Sequence, residues 1–425
     1  MKMKKTTPLF LLLVVLIVSY TSCDLNNIKP PDNKTDRLKW TYSVGDVYMN
    51  SLPNPVPAID EKSNIYAIVS SHSKDDFVKL DQSGKKVWSK NGNGISSRLI
   101  YSNNKLFYSR GTSIACADAE TGTELWSTEN AINGNIIAVT NDRIYTTDYL
   151  ENNFLGVNYL KAFNLDGNLV WETKIKYSDS DSINFPFAMS INGNDIYIGV
   201  LAEIGKSNFA ILKYRDTGDN AKKIWNWLAP EDFTTEGVNG RFKDIAIDDN
   251  SNLLFAMTKD SKQYVFSISA LGNQNWISET NQNIIISNLS VDTKGNVFSS
   301  FSTIEKTGAN GSIWNTKLKK DWEFEGLAAN APVLSDEGNS ISMNFSKLLT
   351  AIDNNGKILW EQHYEPEEDT GLSSDEQFHS FTLNRNGDII VVCKFEIKCF
   401  KGDNSGLLKG GWPKLYGNYG NTASK

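Results

Sequence analysis

Cysteine, histidine and helical periodicity are all scarce in these 425 residues, and each scarcity excludes something. The four cysteines, Cys23, Cys116, Cys393 and Cys399, include no adjacent pair and no CxxCH motif. That excludes a disulfide-dense scaffold and a thioether-linked haem. The three histidines, His72, His363 and His379, have no spacing suited to a shared ion, which excludes a His-rich metal centre. Lys and Arg number 43 against 50 Asp and Glu, a net charge of -7, so the basic footprint of a nucleic-acid binder is missing. Beyond residue 38 no amphipathic helical pattern of useful length occurs. The single long apolar run, Pro8 to about Tyr20, is too short for a comfortable membrane span.

What is present begins with that run. "MKMKKTTPLFLLLVVLIVSYTSC" has a basic start, an apolar centre and small residues before Cys23, the anatomy of a secretory signal. Its end, "SYTSC", resembles the lipobox of bacterial lipoproteins, with Tyr20 standing where an aliphatic residue is usual. The resemblance implies that residues 1–22 are removed and that Cys23 is the lipidated first residue. An ordinary secretory signal followed by an incidental Cys is the alternative. Residues 23–37 then form the lipidated Cys and a polar tether holding two prolines. The expected location is the bacterial envelope, on the outer rather than the inner membrane, with the periplasmic or surface face left open.

From residue 38 the chain reads as short apolar runs separated by two alternating kinds of turn. The first kind is rich in Asn, Asp and Gly and precedes an apolar run, as in "DEKSNIYAI" (60–68), "DDNSNLLFAM" (248–257) and "DTKGNVFSS" (292–300). Eight such turns occur. The second is a turn, a Gly, three residues and a Trp: "QSGKKVW" (82–88), "ETGTELW" (120–126), "LDGNLVW" (165–171), "LGNQNW" (271–276) and "NNGKILW" (354–360). Its glycines Gly84, Gly122, Gly167, Gly272 and Gly356 supply the positive φ of a tight turn. The Trp ladder Trp88, Trp126, Trp171, Trp225, Trp276, Trp322 and Trp360 steps by 38 to 54 residues, the length of a four-stranded propeller blade. A large flat ring repeated once per blade fills the gap between radially packed sheets.

The pattern predicts an all-β, eight-bladed β-propeller of four-stranded antiparallel blades, with seven blades as the alternative. "LKWTYSVG" (38–45), carrying Trp40, looks like a final strand placed ahead of the first full unit, while the last unit lacks a good final strand. The N-terminal strand is therefore expected to complete the last blade and close the ring, leaving no open edge, with a separate lid strand as the alternative. The propeller is assigned to residues 38–415 and a C-terminal tail to 416–425. "GWPKLYGNYGNTASK" in this region resembles a Trp-Pro…Asn-Thr segment found at the ends of such propellers.

The phrases "CADAETGTELW" (116–126) and "AIDNNGKILW" (351–360) resemble the repeat of PQQ-like β-propellers. Two groups share that repeat. Quinoprotein dehydrogenases hold pyrroloquinoline quinone and Ca²⁺ and typically carry an adjacent Cys-Cys pair, which this chain lacks. The other group is non-enzymatic and includes the propeller lipoprotein of the outer-membrane β-barrel assembly machinery. The second resemblance implies a lipid-anchored scaffold that binds envelope proteins, with no catalytic residue, cofactor, metal or nucleic-acid partner. A glycan- or small-ligand-binding surface lipoprotein is the alternative, with Trp227, Trp314, Tyr149 and Tyr177 as candidate contacts. A dehydrogenase is the remote one.

Four further features are candidates. Asp179 and Asp181 are spaced like part of a Ca²⁺ loop but lack its Gly and terminal acid. "EPEEDTGLSSDEQ" (365–377) is an acidic stretch suited to solvent or to a basic partner. "KYRDTGDNAKKIWNW" (213–227) carries three extra residues between Gly218 and Trp225, as in an elongated hairpin or a partner-binding protrusion. Cys393 and Cys399 flank "KFEIK", and a turn at 395–397 brings them face to face as a candidate disulfide; two buried thiols are the alternative. Cys116 reads as core.

Overall fold

The alternation of turns is realised as a meander. The computed structural model describes residues 36–43, 56–70, 75–95, 99–128, 137–149, 158–177, 185–203, 206–230, 233, 245–260, 262–279, 284–303, 310–314, 320–325, 332–343, 348–363, 380–393, 396–418 and 420–425. Residues 1–35, with Cys23, the signal and the tether, lie outside them, and Asp36–Lys425 is one compact unit. Among the described residues there is no helix, and the strands form eight four-stranded antiparallel sheets.

β1 (Leu38–Ser43) stands apart in sequence from the sheet it joins. Sheet 1 is β2 (Ala58–Ile59), β3 (Ile65–Ser70), β4 (Asp75–Leu80) and β5 (Lys86–Asn91). Sheet 2 is β6 (Ile100–Ser102), β7 (Lys105–Arg110), β8 (Ser113–Asp118) and β9 (Glu124–Ser127). Sheet 3 is β10 (Ile137–Val139), β11 (Arg143–Tyr149), β12 (Asn158–Asn164) and β13 (Leu169–Lys174). Sheet 4 is β14 (Phe185–Asn192), β15 (Asp195–Glu203), β16 (Lys206–Asp216) and β17 (Ala221–Leu228). Sheet 5 is β18 (Ala246–Ile247), β19 (Leu253–Lys259), β20 (Lys262–Ile268) and β21 (Gln274–Glu279). Sheet 6 is β22 (Ile284–Val291), β23 (Val297–Thr303), β24 (Asn310–Trp314) and β25 (Lys320–Glu325). Sheet 7 is β26 (Val333–Leu334), β27 (Ser340–Met343), β28 (Leu348–Ile352) and β29 (Ile358–His363). Sheet 8 is β30 (Ser380–Leu383), β31 (Ile389–Val392) and β32 (Glu396–Phe400), with β1 as its fourth strand, Trp40 opposite Cys399 and Tyr42 opposite Ile397.

Turns of both kinds share one device at Asp60, Asp81, Asp248, Asp292 and Asp353. A leading Asp side chain accepts the N–H groups two and four residues ahead: Asp60 those of Lys62 and Asn64 (both 2.8 Å), Asp353 those of Asn355 and Lys357 (2.8 and 2.9 Å). In the first kind the closing Asn returns its amide to the second carboxylate oxygen, as Asn64 does to Asp60 at 2.7 Å. The Asp side chain thus satisfies backbone groups that a tight turn otherwise leaves open.

The core lies between neighbouring sheets as well as within them. One buried cluster joins Ile59, Val69 and Leu80 of sheet 1 to Ile390, Val392 and Cys399 of sheet 8. Others join sheets 1 and 2 through Tyr66 and Leu106, 2 and 3 through Phe107 and Ile144, and 3 and 4 through Leu160 and Ile198. Sheet 7 meets sheet 8 through Met343 and Phe381. No sheet buries both faces alone, so each depends on its neighbours.

Candidate functional site

The repeated Trp is carried by the outer strand of a sheet, and in four sheets it locks that sheet to the next. The Trp40 ring of β1 lies against Gly84 in sheet 1, so close that a Cβ on Gly84 would stand 2.4 Å from it. Trp88 meets Gly122, Trp126 meets Gly167 and Trp225 meets Gly272 in the same way, at 2.9, 2.7 and 3.0 Å. Each indole N–H donates to a carbonyl just ahead of that Gly: Gln82 (3.1 Å), Ala119 (3.3 Å), Leu165 (3.1 Å) and Ala270 (3.0 Å). The glycines therefore serve twice, for positive φ and as the flat floor under a ring. The second role was readable only by pairing each Gly with the Trp of the preceding unit.

Two positions depart from the pattern. Gly218 has nothing within 4 Å of where a Cβ would lie. Instead the buried Asp216 carboxylate takes the Trp171 N–H at 3.1 Å and the Tyr145 hydroxyl at 2.7 Å. Burial, then the Asp216 hydrogen bond, raise the Tyr145 phenol above its ordinary value. Trp360 donates to Asp403 at 2.7 Å, with the Arg37 guanidinium 4.3 Å above its ring. Trp276 packs against the core shared by sheets 4, 5 and 6, while the Trp322 side chain lies outside the described residues.

The segment after β32 builds the axis of the molecule. Residues 404–425 run along the ends of inner strands, with Trp412 bridged to Val291, Leu407 to Ser335 and Ser424 to Ile191. Beside this segment lies a cavity of about 1000 Å³. Its wall mixes acids (Asp142, Asp336, Glu337) with cations (Arg385, Lys409, Lys425). Lys409 pairs with Asp336 at 3.0 Å, and Lys425 pairs with Asp249. Burial pushes the Asp249 carboxyl up, but the Lys425 ammonium and the Gly411 N–H outweigh it and hold it below the ordinary carboxylate value. Among the described residues no group of three or more His, Cys, Asp or Glu could hold a metal ion.

The candidate disulfide is corrected by strand register. β31 and β32 pair in a register that sets Cys399 opposite Ile390, while Cys393 donates its N–H to the Glu396 carbonyl. The two thiols fall on opposite faces of the sheet, Cys393 in the cluster with Phe381 and Leu383 and Cys399 in that with Ile65 and Val392, and neither is in a disulfide. Cys116 is also free and buried; burial raises both its thiol and that of Cys399 to about 12.

Trp227 sits 5.5 Å from the Phe255 ring and 5.6 Å from that of Phe266, in core packing. Tyr177 packs on the cluster of sheets 3 and 4. Neither stands free as a ligand platform. The stretch 213–227 is an elongated hairpin whose ladder continues through Arg215↔Lys222 and Asp216↔Ala221. The side chains of Tyr149 and Trp314, the acids Asp179 and Asp181, and the stretch 365–377 lie outside the described residues.

This arrangement defines a propeller of four-stranded antiparallel blades, and comparisons with known proteins agree. Residues 73–201 match the family model described as outer membrane protein assembly factor BamB. The chain is similar in structure to BamB from Moraxella catarrhalis (12% identity, TM-score 0.52), covering 86% of this chain and 98% of that one. It is also similar to the quinohemoprotein alcohol dehydrogenase ADHIIG from Pseudomonas putida HK5 (11%, TM-score 0.58; 89% and 78% covered). The Dos1 propeller is a third (12%, TM-score 0.57; 88% and 97% covered). No curated protein sequence matches. At these identities the structural likenesses establish the fold.

Proposed function

We propose that this chain is a lipid-anchored, non-enzymatic propeller of the bacterial envelope that serves as a protein-binding scaffold in the assembly of outer-membrane proteins. The observation that carries the reading is the match of residues 73–201 to the BamB family model. Cys23 is the proposed anchor and the outer membrane the proposed site. The working form is an eight-bladed ring with β1 as the closing strand. The absence of an adjacent Cys pair from the sequence argues against the dehydrogenase reading of the same fold.

The partner-facing side follows from topology. In a meander, connections alternate between the two faces, so first-to-second and third-to-fourth strand turns share one face. The other face carries the connections from one sheet to the next. The sequence between sheets 7 and 8 contains the acidic stretch 365–377, which lies outside the described residues and is suited by charge to a basic partner. Light crosslinking of cells bearing a C-terminally tagged chain, against a Cys23→Ala form, tests the reading. Enrichment of outer-membrane barrels or their assembly factors is the expected result. An eluate holding no protein partner overturns it.

A further inference from the structure

The inner strand of each sheet pairs on one side only, so its other edge faces the axis with backbone groups to satisfy. Residues 404–425 satisfy them in five sheets. The N–H groups of Tyr101, Val139 and Ile191 donate to the carbonyls of Gly420 (2.9 Å), Thr422 (3.0 Å) and Ala423 (2.9 Å). Val291 and Trp412 exchange both bonds, at 2.8 and 2.7 Å, and Leu334 donates to Pro413 at 2.9 Å. The Asn421 amide reaches the carbonyls of Val56 (2.7 Å) and Leu99 (3.2 Å), which draws in sheets 1 and 2. The fit is close: a Cβ on Gly420 would stand 2.2 Å from the Tyr101 oxygen, and one on Gly411 2.3 Å from that of Val291. Side chains hold the segment as well: Lys425 pairs with Asp249 of sheet 5, and the buried Lys414 braces the segment internally through Asn421.

We propose that residues 404–425 are a strap filling, in cis, a peptide-receiving edge around the axis, and that this edge accepts the same segment in trans once the strap is displaced. It is a strand-addition site whose resident is the chain's own end, and it closes the ring independently of β1 at the rim. The inference does not depend on the partner or membrane proposed above.

The test uses the full chain carrying Gly420→Val, which collides with the Tyr101 carbonyl. Amide exchange at Tyr101, Val139 and Ile191 is expected to rise together by about tenfold or more. Lys401, whose N–H is bonded to Arg37 at the rim (2.7 Å), is expected to keep its protection. A fluorescent peptide of residues 404–425 is expected to bind this variant and not the native chain. Equal loss of protection at axis and rim, change confined to Tyr101, or deprotected inner amides without peptide uptake each overturns the proposal. If Gly420→Val fails to fold, Lys425→Ala, which removes only the last anchor, is read by the same two measurements against the same criteria.

Discussion

At the scale of single residues, the glycines of the Gly–Trp phrase can be told apart by what lies over them. Gly84 and Gly218 both have positive φ, +81° and +102°, yet only Gly84 carries an indole within 3 Å of where a Cβ would stand. Gly218→Ala should therefore cost only backbone strain, about 1–3 kcal/mol. Gly84→Ala should cost about 1–3 kcal/mol more, because the Trp40 ring must also move. Urea denaturation of the two variants side by side checks the order, and equal losses would show that the ring carries no load. The cysteines give a second residue-scale expectation. Cys116, Cys393 and Cys399 should resist a maleimide in the native protein and react fully in guanidinium without reductant. A mass shift on reduction would reinstate the disulfide.

Between elements, neighbouring sheets are joined by polar clasps as well as rings. The buried Lys79 ammonium of β4 reaches across to Glu120 in sheet 2 at 2.6 Å, and its hydrogen bond holds the Glu120 carboxyl below its ordinary value. Glu120→Gln should cost about 1–2 kcal/mol by leaving a buried cation poorly paired. Lys79→Met in the same chain should recover most of it, since an apolar side chain needs no partner there. Calorimetry of the single and double variants reads the coupling.

The strap brings a pH dependence of definite sign. Asp249 has a folded value below its ordinary 3.8, so its contribution is complete above 3.8 and is lost as pH falls through the lowered value. The drop in melting temperature between pH 5 and pH 3 should accordingly be smaller for Asp249→Asn than for the native chain. An identical drop in both would remove Asp249 from the strap's anchors.

For the molecule as a whole, architecture was far more legible than the site. The eight Asn/Asp/Gly-rich turns marked the repeat because each precedes an apolar strand, and β1 was recognisable because Trp40 repeats the ladder residue without its own preceding Gly. The Cys pairing misled because it turned on the register of β31 against β32, and a one-residue slip moves a thiol to the other face. Trp227 misled because an aromatic beyond the ladder reads alike whether it faces solvent or a neighbouring sheet. The tail stayed opaque because its partners are inner-strand edges drawn from most of the chain, and no local pattern announces contacts of that range.

The pairing of Leu38 with Phe400 has a consequence for synthesis. A chain made from its N-terminus exposes β1 first and must wait for β32 before that strand finds its place. Until then each growing chain is an open arc with an unsatisfied edge at either end, and contacts of such sequence separation form slowly. Delay at the last sheet, rather than any weakness within a finished one, is where a chain of this design stands most exposed to joining the wrong neighbour.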